Sequence, residues 1–266
     1  MKAGTVLLAV GAALLLPMSA RSSEITVVGS TTVQPLAELL AEAYQAVNPG
    51  VIITVSGGGS SVGVTSAGNG LCDVGMASRE IKESERQEFP SMAIHVIARD
   101  GIAIVTNPGV GVTNLSKSQV RDIFTGDITN WSEVGGPDQD IVVVSREEGS
   151  GTRAAFEEMV MEGVFLITGA AVLQPSNGAV VTTVASTPYS IAYISFGYMN
   201  ESVAAVSVNG IAPTAANASA GRYPIVRPLC MLTPGTPQGD VKAWLDFIMS
   251  PDGQAIVSDE GYLPVQ

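Results

Sequence analysis

Residues 24–76 read EITVVGSTTVQPLAELLAEAYQAVNPGVIITVSGGGSSVGVTSAGNGLCDVGM. The run from Glu24 to Gly29 is short, apolar and β-branched, as a buried strand requires. After Ser30-Thr31-Thr32, apolar side chains recur at Val33, Leu36, Leu40, Ala43, Tyr44 and Val47, the spacing of one helix face. Asn48-Pro49-Gly50 stops that helix. Val51 to Val55 reads as a second strand, Ser56 to Ser61 as a glycine-serine loop, and Val62 to Ala67 as a short helix. Asn69-Gly70 turns the chain into a third strand, Leu71 to Met76. The order strand–helix–strand–helix–strand predicts a mainly parallel sheet with helices on its faces.

The rest of the chain extends this α/β pattern. Ile94 to Val105 is a long apolar stretch broken by Arg99-Asp100-Gly101, placed to carry the chain out of a first lobe. Ser116 or Ser118 caps a short helix through Ile123-Phe124, and Gly126 to Trp131 forms a compact turn. Ile141 to Val144 and Ile191 to Phe196 are strands, and Arg153 to Met161 is a helix with Phe156, Met159 and Val160 inward. Ile225 to Leu229 returns the chain. Gln238 to Met249 is a helix burying Val241, Trp244, Leu245 and Ile248, and Ser250-Pro251 opens a last helix by capping.

Composition narrows the function. The 266-residue chain has a net charge of −12 and no Lys/Arg cluster, which argues against a nucleic-acid or anionic-membrane surface. A small anion remains compatible, because neutral dipoles and one arginine can hold it in a closed site. Lys2, the apolar run Val6 to Leu16 and the small residues up to Ala20 read as an export signal or N-terminal anchor over residues 1–23. Export permits a disulfide between the only two cysteines, Cys72 and Cys230, and the sequence leaves open whether they meet. His95 is the only histidine and no metal-ligand spacing occurs, so neither metal nor cofactor is expected.

Three strand ends carry the chemistry: Gly29-Ser30-Thr31-Thr32, Gly57 to Ser61, and Gly149-Ser150-Gly151-Thr152. Each precedes a helix, where free N–H groups and the helix dipole favour an anion. In an open α/β sheet such loops gather beyond the C-terminal strand ends. Each loop alone is weak evidence, since a Ser or Thr before a helix is most often an ordinary cap. Arg146, four residues before Ser150, reads equally well as a partner for Glu147 or Glu148.

Together, VVGSTTVQPLAE, VSGGGSSVG, CDVGMASR, DIFTGDITNWSEVGG, SREEGSGTRAAF and VKAWLDFIMSPDGQAIVSDEGYLPV make a specific pattern. The chain resembles the phosphate-binding proteins of ABC-type phosphate importers, in the type II periplasmic-binding-protein superfamily. The resemblance implies two α/β lobes, 24–97 with 229–266 and 98–228, closing on inorganic phosphate. It implies phosphate contacts from Thr31, Thr32, Ser60 and Asp73 on one lobe, and from Arg146, Ser150, Gly151 and Thr152 on the other. It further implies an exported subunit, monomeric when soluble, that delivers phosphate to a membrane permease with an ATPase.

The residue chemistry agrees. Arg146 offers paired donors, Ser30, Ser60, Ser150 and Thr152 add hydroxyls, and Asp73 supplies the acceptor that a protonated phosphate needs and sulfate does not. An enzyme is not expected, because no base and orienting group accompany Ser60 or Ser150. A phosphate sensor or adhesion protein, or a receptor for another oxyanion, is compatible with the same clamp.

Overall fold

The structure is a computed structural model and describes residues 23–265. The export signal or anchor over residues 1–23 therefore lies outside the described residues except for its last position. Among those described, no helix is long and apolar enough to cross a membrane.

The strands are β1 (Ser23–Gly29), β2 (Val51–Ser56), β3 (Val74–Ala77), β4 (Ala93–Thr106), β5 (Asn114–Leu115), β6 (Val142–Arg146), β7 (Val172–Gln174), β8 (Ser190–Ser195), β9 (Ala204–Val208) and β10 (Val226–Thr233). The helices are α1 (Gln34–Val47), α2 (Ser60–Gly68), α3 (Glu83–Glu88), α4 (Lys117–Thr125), α5 (Gly151–Met159), α6 (Asn177–Ser186), α7 (Ala215–Ser219), α8 (Gly239–Ile248) and α9 (Pro251–Asp259). The strand order β2-β1-β3-β10-β4-β8-β6-β7 runs across two lobes, with β9 and β5 branching from β4. The pairs β1–β2, β1–β3 and β6–β8 are parallel, as expected, and so are β6–β7 and β5–β9, whose strands β5, β7 and β9 the sequence pattern does not mark. The crossing strands are not: β10 runs antiparallel to β3 and β4, and β4 antiparallel to β8 and β9. The sheets are therefore mixed, because β4 leaves the first lobe and β10 returns side by side with it.

The apolar side chains segregate accordingly. One cluster joins Ile25, Leu36, Leu40, Ile97, Leu229 and Trp244, drawing from both ends of the chain. A second joins Ile102, Phe124, Trp131, Phe156, Tyr193 and Ile225, all from the middle. The closing helix α8 buries Trp244, Leu245 and Ile248 on the first lobe, as its periodicity predicts. Helix α1 turns slightly from its predicted face, burying Ala37 and Ala41 while Val47 is exposed.

Two details position the site. Gly63 and Gly75 let α2 lie directly on β3, since a β-carbon at either would overlap backbone of the other element. In the second lobe, Phe156 stacks on Tyr193 at 4.1 Å. The Tyr193 hydroxyl accepts from the Arg146 N–H at 3.3 Å and lies 2.8 Å from Ser145 Oγ, so the aromatic core holds the end of β6.

Cys72 and Cys230 are buried free thiols. Cys230 pairs in register with Ala77, five residues beyond Cys72, which separates the two along β3. His95 is half-buried and bonds to Thr233 Oγ1 at 3.1 Å, a structural setting.

Candidate functional site

The three loops meet. At the end of β1, the Ser30 N–H donates to the Met76 carbonyl at 2.9 Å, and Ser30 Oγ lies 2.9 Å from Ser78 Oγ. Ser60, the first residue of α2, accepts from the Ser78 N–H at 3.0 Å. From the second lobe, Ser150 caps α5 by accepting from the Arg153 N–H at 3.2 Å. The lobes touch at this point: Thr32 Oγ1 lies 3.1 Å from Thr152 Oγ1, and the Ser61 N–H donates to the Gly149 carbonyl at 3.2 Å. Gly151 sits against Ser60 and Ser78 so closely that a β-carbon would overlap both hydroxyls. Ser30, Thr32, Ser60, Ser78, Ser150 and Thr152 are all buried. Such a density of buried hydroxyls at three helix starts is a donor array for an oxyanion.

Arg146, at the C-terminal end of β6, is buried. Its Nε and Nη2 hold both oxygens of Glu147 at 2.9 Å, and Nη2 reaches Thr31 Oγ1 at 3.3 Å across the cleft. Its Nη1 is buried with no partner. The pairing with Glu147 is thus present on one edge of the guanidinium, and the opposite edge keeps an Nη1 without a protein partner.

The sequence did not single out a second arginine. Arg227 on β10 has both side-chain edges out of solvent, bonds Asp100 through Nε at 3.0 Å and Nη2 at 2.8 Å, and also leaves Nη1 without a partner. Its Nη2 lies 3.4 Å from Thr32 Oγ1, which places it in the same cluster. Asp100 also accepts from Ser195 Oγ at 2.9 Å and the Phe196 N–H at 3.2 Å. Burial pushes its carboxyl upward from the usual carboxylate range, and the Arg227 guanidinium and these donors oppose that push. Asn177, at the start of α6, donates to Thr32 Oγ1 at 2.8 Å. Tyr198 and Tyr262 donate to the carbonyls of Thr31 and Thr32 at 2.8 and 3.0 Å. Burial pushes the Tyr198 phenol up to about 12, so it stays a donor. Ser78 lies within the quoted stretch CDVGMASR, but Arg227, Asn177 and Asp100 carry no local motif.

Asp73, expected at the ligand, does not join this cluster. Strand β3 begins at Val74, so Asp73 precedes the strand and lies at its N-terminal end. There its Oδ2 accepts from the Thr26 N–H and the Thr26 hydroxyl, both at 2.8 Å. The four strand residues Val74–Ala77 separate it from Ser78, five residue steps or roughly 16 Å at the usual strand rise. In a parallel sheet the ligand-facing loops are at the other end. The structure thus brings Ser30, Thr31, Thr32, Ser60, Arg146, Ser150, Gly151 and Thr152 together and leaves Asp73 out.

The open cleft between the lobes, about 640 Å³, is lined by residues such as Arg79, Lys82, Glu157 and Phe165 and excludes this cluster. Arg79 there is engaged by both oxygens of Glu85. The buried hydroxyls and guanidiniums are in the closed cluster rather than in this open cleft. No group of three or more potential metal-ligating side chains occurs among the described residues.

A family model described as a PBP superfamily domain matches residues 17–252. The phosphate-binding protein PstS of Bacillus subtilis is 37% identical over 246 residues, 92% of this chain and 81% of that one. This chain belongs to the PBP superfamily, in the family of the PstS phosphate-binding proteins. Two solved structures are similar throughout. One, from Clostridium perfringens, is described as a phosphate ABC transporter substrate-binding protein with bound phosphate; it has a TM-score of 0.87 and 39% identity, covering 92% of this chain and all of that one. The other is an ABC-type phosphate transport receptor from Vibrio cholerae, with a TM-score of 0.76 and 34% identity over 90% of this chain and 99% of that one.

Proposed function

We propose that this protein binds inorganic phosphate between its lobes on the outer side of the cytoplasmic membrane and delivers it to an ABC permease with its ATPase. The observation that carries the reading is the convergence of two buried guanidiniums, Arg146 and Arg227, each with an unpartnered Nη1, on a ring of buried hydroxyls at helix starts. A tetrahedral anion is the ligand that satisfies such donors from several directions. The relatives named as phosphate-binding proteins and the phosphate-bound structure support phosphate as that anion. The apolar run after Lys2 supports export. The protein is a receptor and not an enzyme, and its ligand-facing residues are Ser30, Thr31, Thr32, Ser60, Arg146, Ser150, Gly151 and Thr152, joined by Arg227.

Calorimetric titration of phosphate into phosphate-depleted protein tests this. Wild type binds with one site per chain, and Arg146→Ala weakens binding by about 2–5 kcal/mol, the cost of truncating a buried charge-assisted pair. Wild-type affinity in a folded Arg146→Ala variant would remove Arg146 from the site.

A further inference from the structure

With Asp73 elsewhere, how the cluster treats a proton on its ligand depends on which lone pairs are free. A hydroxyl has one hydrogen and two lone pairs, and an ionised carboxylate about four acceptor directions. Ser30 Oγ accepts from the Thr32 and Val33 N–H groups at 3.2 and 3.4 Å, which leaves its hydrogen for Ser78. Thr32 Oγ1 accepts from Asn177 Nδ2 and Arg227 Nη2, which sends its hydrogen to Thr152 Oγ1. Thr152 then directs its own hydrogen onward. Ser60 and Ser150 each have one lone pair taken by a backbone N–H.

The carboxylates near the cluster are also committed. Asp100 receives four donors, two on each oxygen. Glu147 receives one Arg146 donor on each oxygen and lies on the guanidinium edge away from Nη1, about a third exposed at 35%. The Thr31 and Thr32 carbonyls hold the phenols of Tyr198 and Tyr262. Arg153 faces away from the cluster, bonding the Arg146 carbonyl and Glu157. What remains toward the ligand is two Nη1 groups, hydroxyl hydrogens, and a few lone pairs on neutral hydroxyls.

Resting on the phosphate reading above, we propose that this site selects its oxyanion by charge and shape rather than by a proton-reading carboxylate: it prefers hydrogenphosphate dianion to the monoanion, and it admits sulfate. A neutral hydroxyl lone pair can take the single proton of the dianion. The second proton of the monoanion meets donors. Sulfate, with no proton, meets no repelling carboxylate.

The test is a titration of phosphate-depleted wild type with phosphate and with sulfate from pH 5.5 to 8.5 at fixed ionic strength. Sulfate keeps its charge over this range, so its profile reports the protein's own titrations and the difference between the two profiles reports the ligand's. Phosphate affinity is expected to rise with pH relative to sulfate. Sulfate is expected to displace phosphate with an affinity about tenfold weaker at pH 8, the difference of one neutral hydrogen bond. Thr152→Val should weaken both anions by a similar factor, because its hydrogen donates to either. A phosphate affinity that is flat or falls with pH relative to sulfate, no displacement by a thousandfold sulfate excess, or a Thr152→Val loss confined to phosphate would each overturn the proposal. Sulfate binding without phosphate binding would instead uphold charge selection and remove the phosphate reading, and binding of neither would remove both.

Discussion

Asp100 and Arg227 are register partners across the antiparallel β4–β10 pair, and their side chains meet in a two-point ion pair with no solvent exposure on either. The pair sits where both crossing strands leave one lobe for the other. Removing one member leaves a buried charge alone, which costs about 3–5 kcal/mol. The two members differ in how they escape that cost. A guanidinium does not deprotonate, whereas the Asp100 carboxyl, already pushed upward by burial, takes a proton. Asp100→Asn is therefore expected to destabilise the anion-free protein more than Arg227→Met. The Arg227→Met variant holds a carboxyl whose folded pKa is raised, so its stability is greatest at low pH and falls as pH rises above the ordinary carboxylate range. Urea unfolding of both variants at pH 5 and pH 8 checks the order and the sign; equal losses at both pH values would contradict it.

Gly151→Ala separates closure from folding. Gly151 is the first residue of α5, where alanine favours the helix. The added methyl would nevertheless overlap Ser60 Oγ and Ser78 Oγ of the opposite lobe in the closed state. Overpacking of this kind costs about 1–3 kcal/mol. The expected result is an unchanged or slightly raised melting temperature without ligand, together with phosphate affinity reduced by roughly tenfold to a hundredfold. Unchanged affinity would mean that the lobes do not close as tightly on ligand as this contact indicates.

Most of the fold is legible in the sequence, because helix faces such as Trp244-Leu245-Ile248 and caps such as Ser116, Ser150 and Ser250 are local signals. The same holds for half of the site. Hydroxyls and glycines before a helix are adjacent in sequence, and each of the three loops is readable alone. Arg227, Asp100 and Asn177 are not, because only the pairing of β10 with β4 and the packing of α6 bring them to Thr32. Asp73 fails for a different reason. Leu71 looks like the first residue of a strand but is largely exposed, and pairing with β1 begins only at Val74. A three-residue error in where a strand starts moves a carboxylate from the ligand end of the sheet to the opposite end.

His95 provides a pH signal away from the ligand. Thr233 Oγ1 donates to the Gly235 carbonyl at 2.6 Å, so it accepts from His95 Nε2, which fits the neutral ring. Burial lowers the His95 pKa below its ordinary value near 6.5. The folded-state pKa is depressed, so the unfolded chain binds the proton first and stability is lost as pH falls through the ordinary histidine range. His95→Gln, which cannot take up a proton, should flatten the stability profile between pH 7.5 and 5.5. Parallel thermal melts in the absence of anion decide this; superimposable profiles for wild type and variant would assign the slope to other groups.

Asp73→Asn is the substitution on which the sequence and the structure disagree. As a ligand acceptor, Asp73 would govern the preference for phosphate over sulfate, and its amide would narrow it. In the structure its Oδ2 instead ties the end of β3 to Thr26, accepting one backbone and one hydroxyl hydrogen at 2.8 Å. An amide oxygen keeps an acceptor there but loses the charge assistance, a change of about 1 kcal/mol. The expected outcome is a modest loss of stability, read by chemical denaturation, with the phosphate-to-sulfate affinity ratio unchanged. Were the ratio to shift by more than about tenfold while the fold held, Asp73 would act on the ligand after all, and the carboxylate-free description of the site would fall with it.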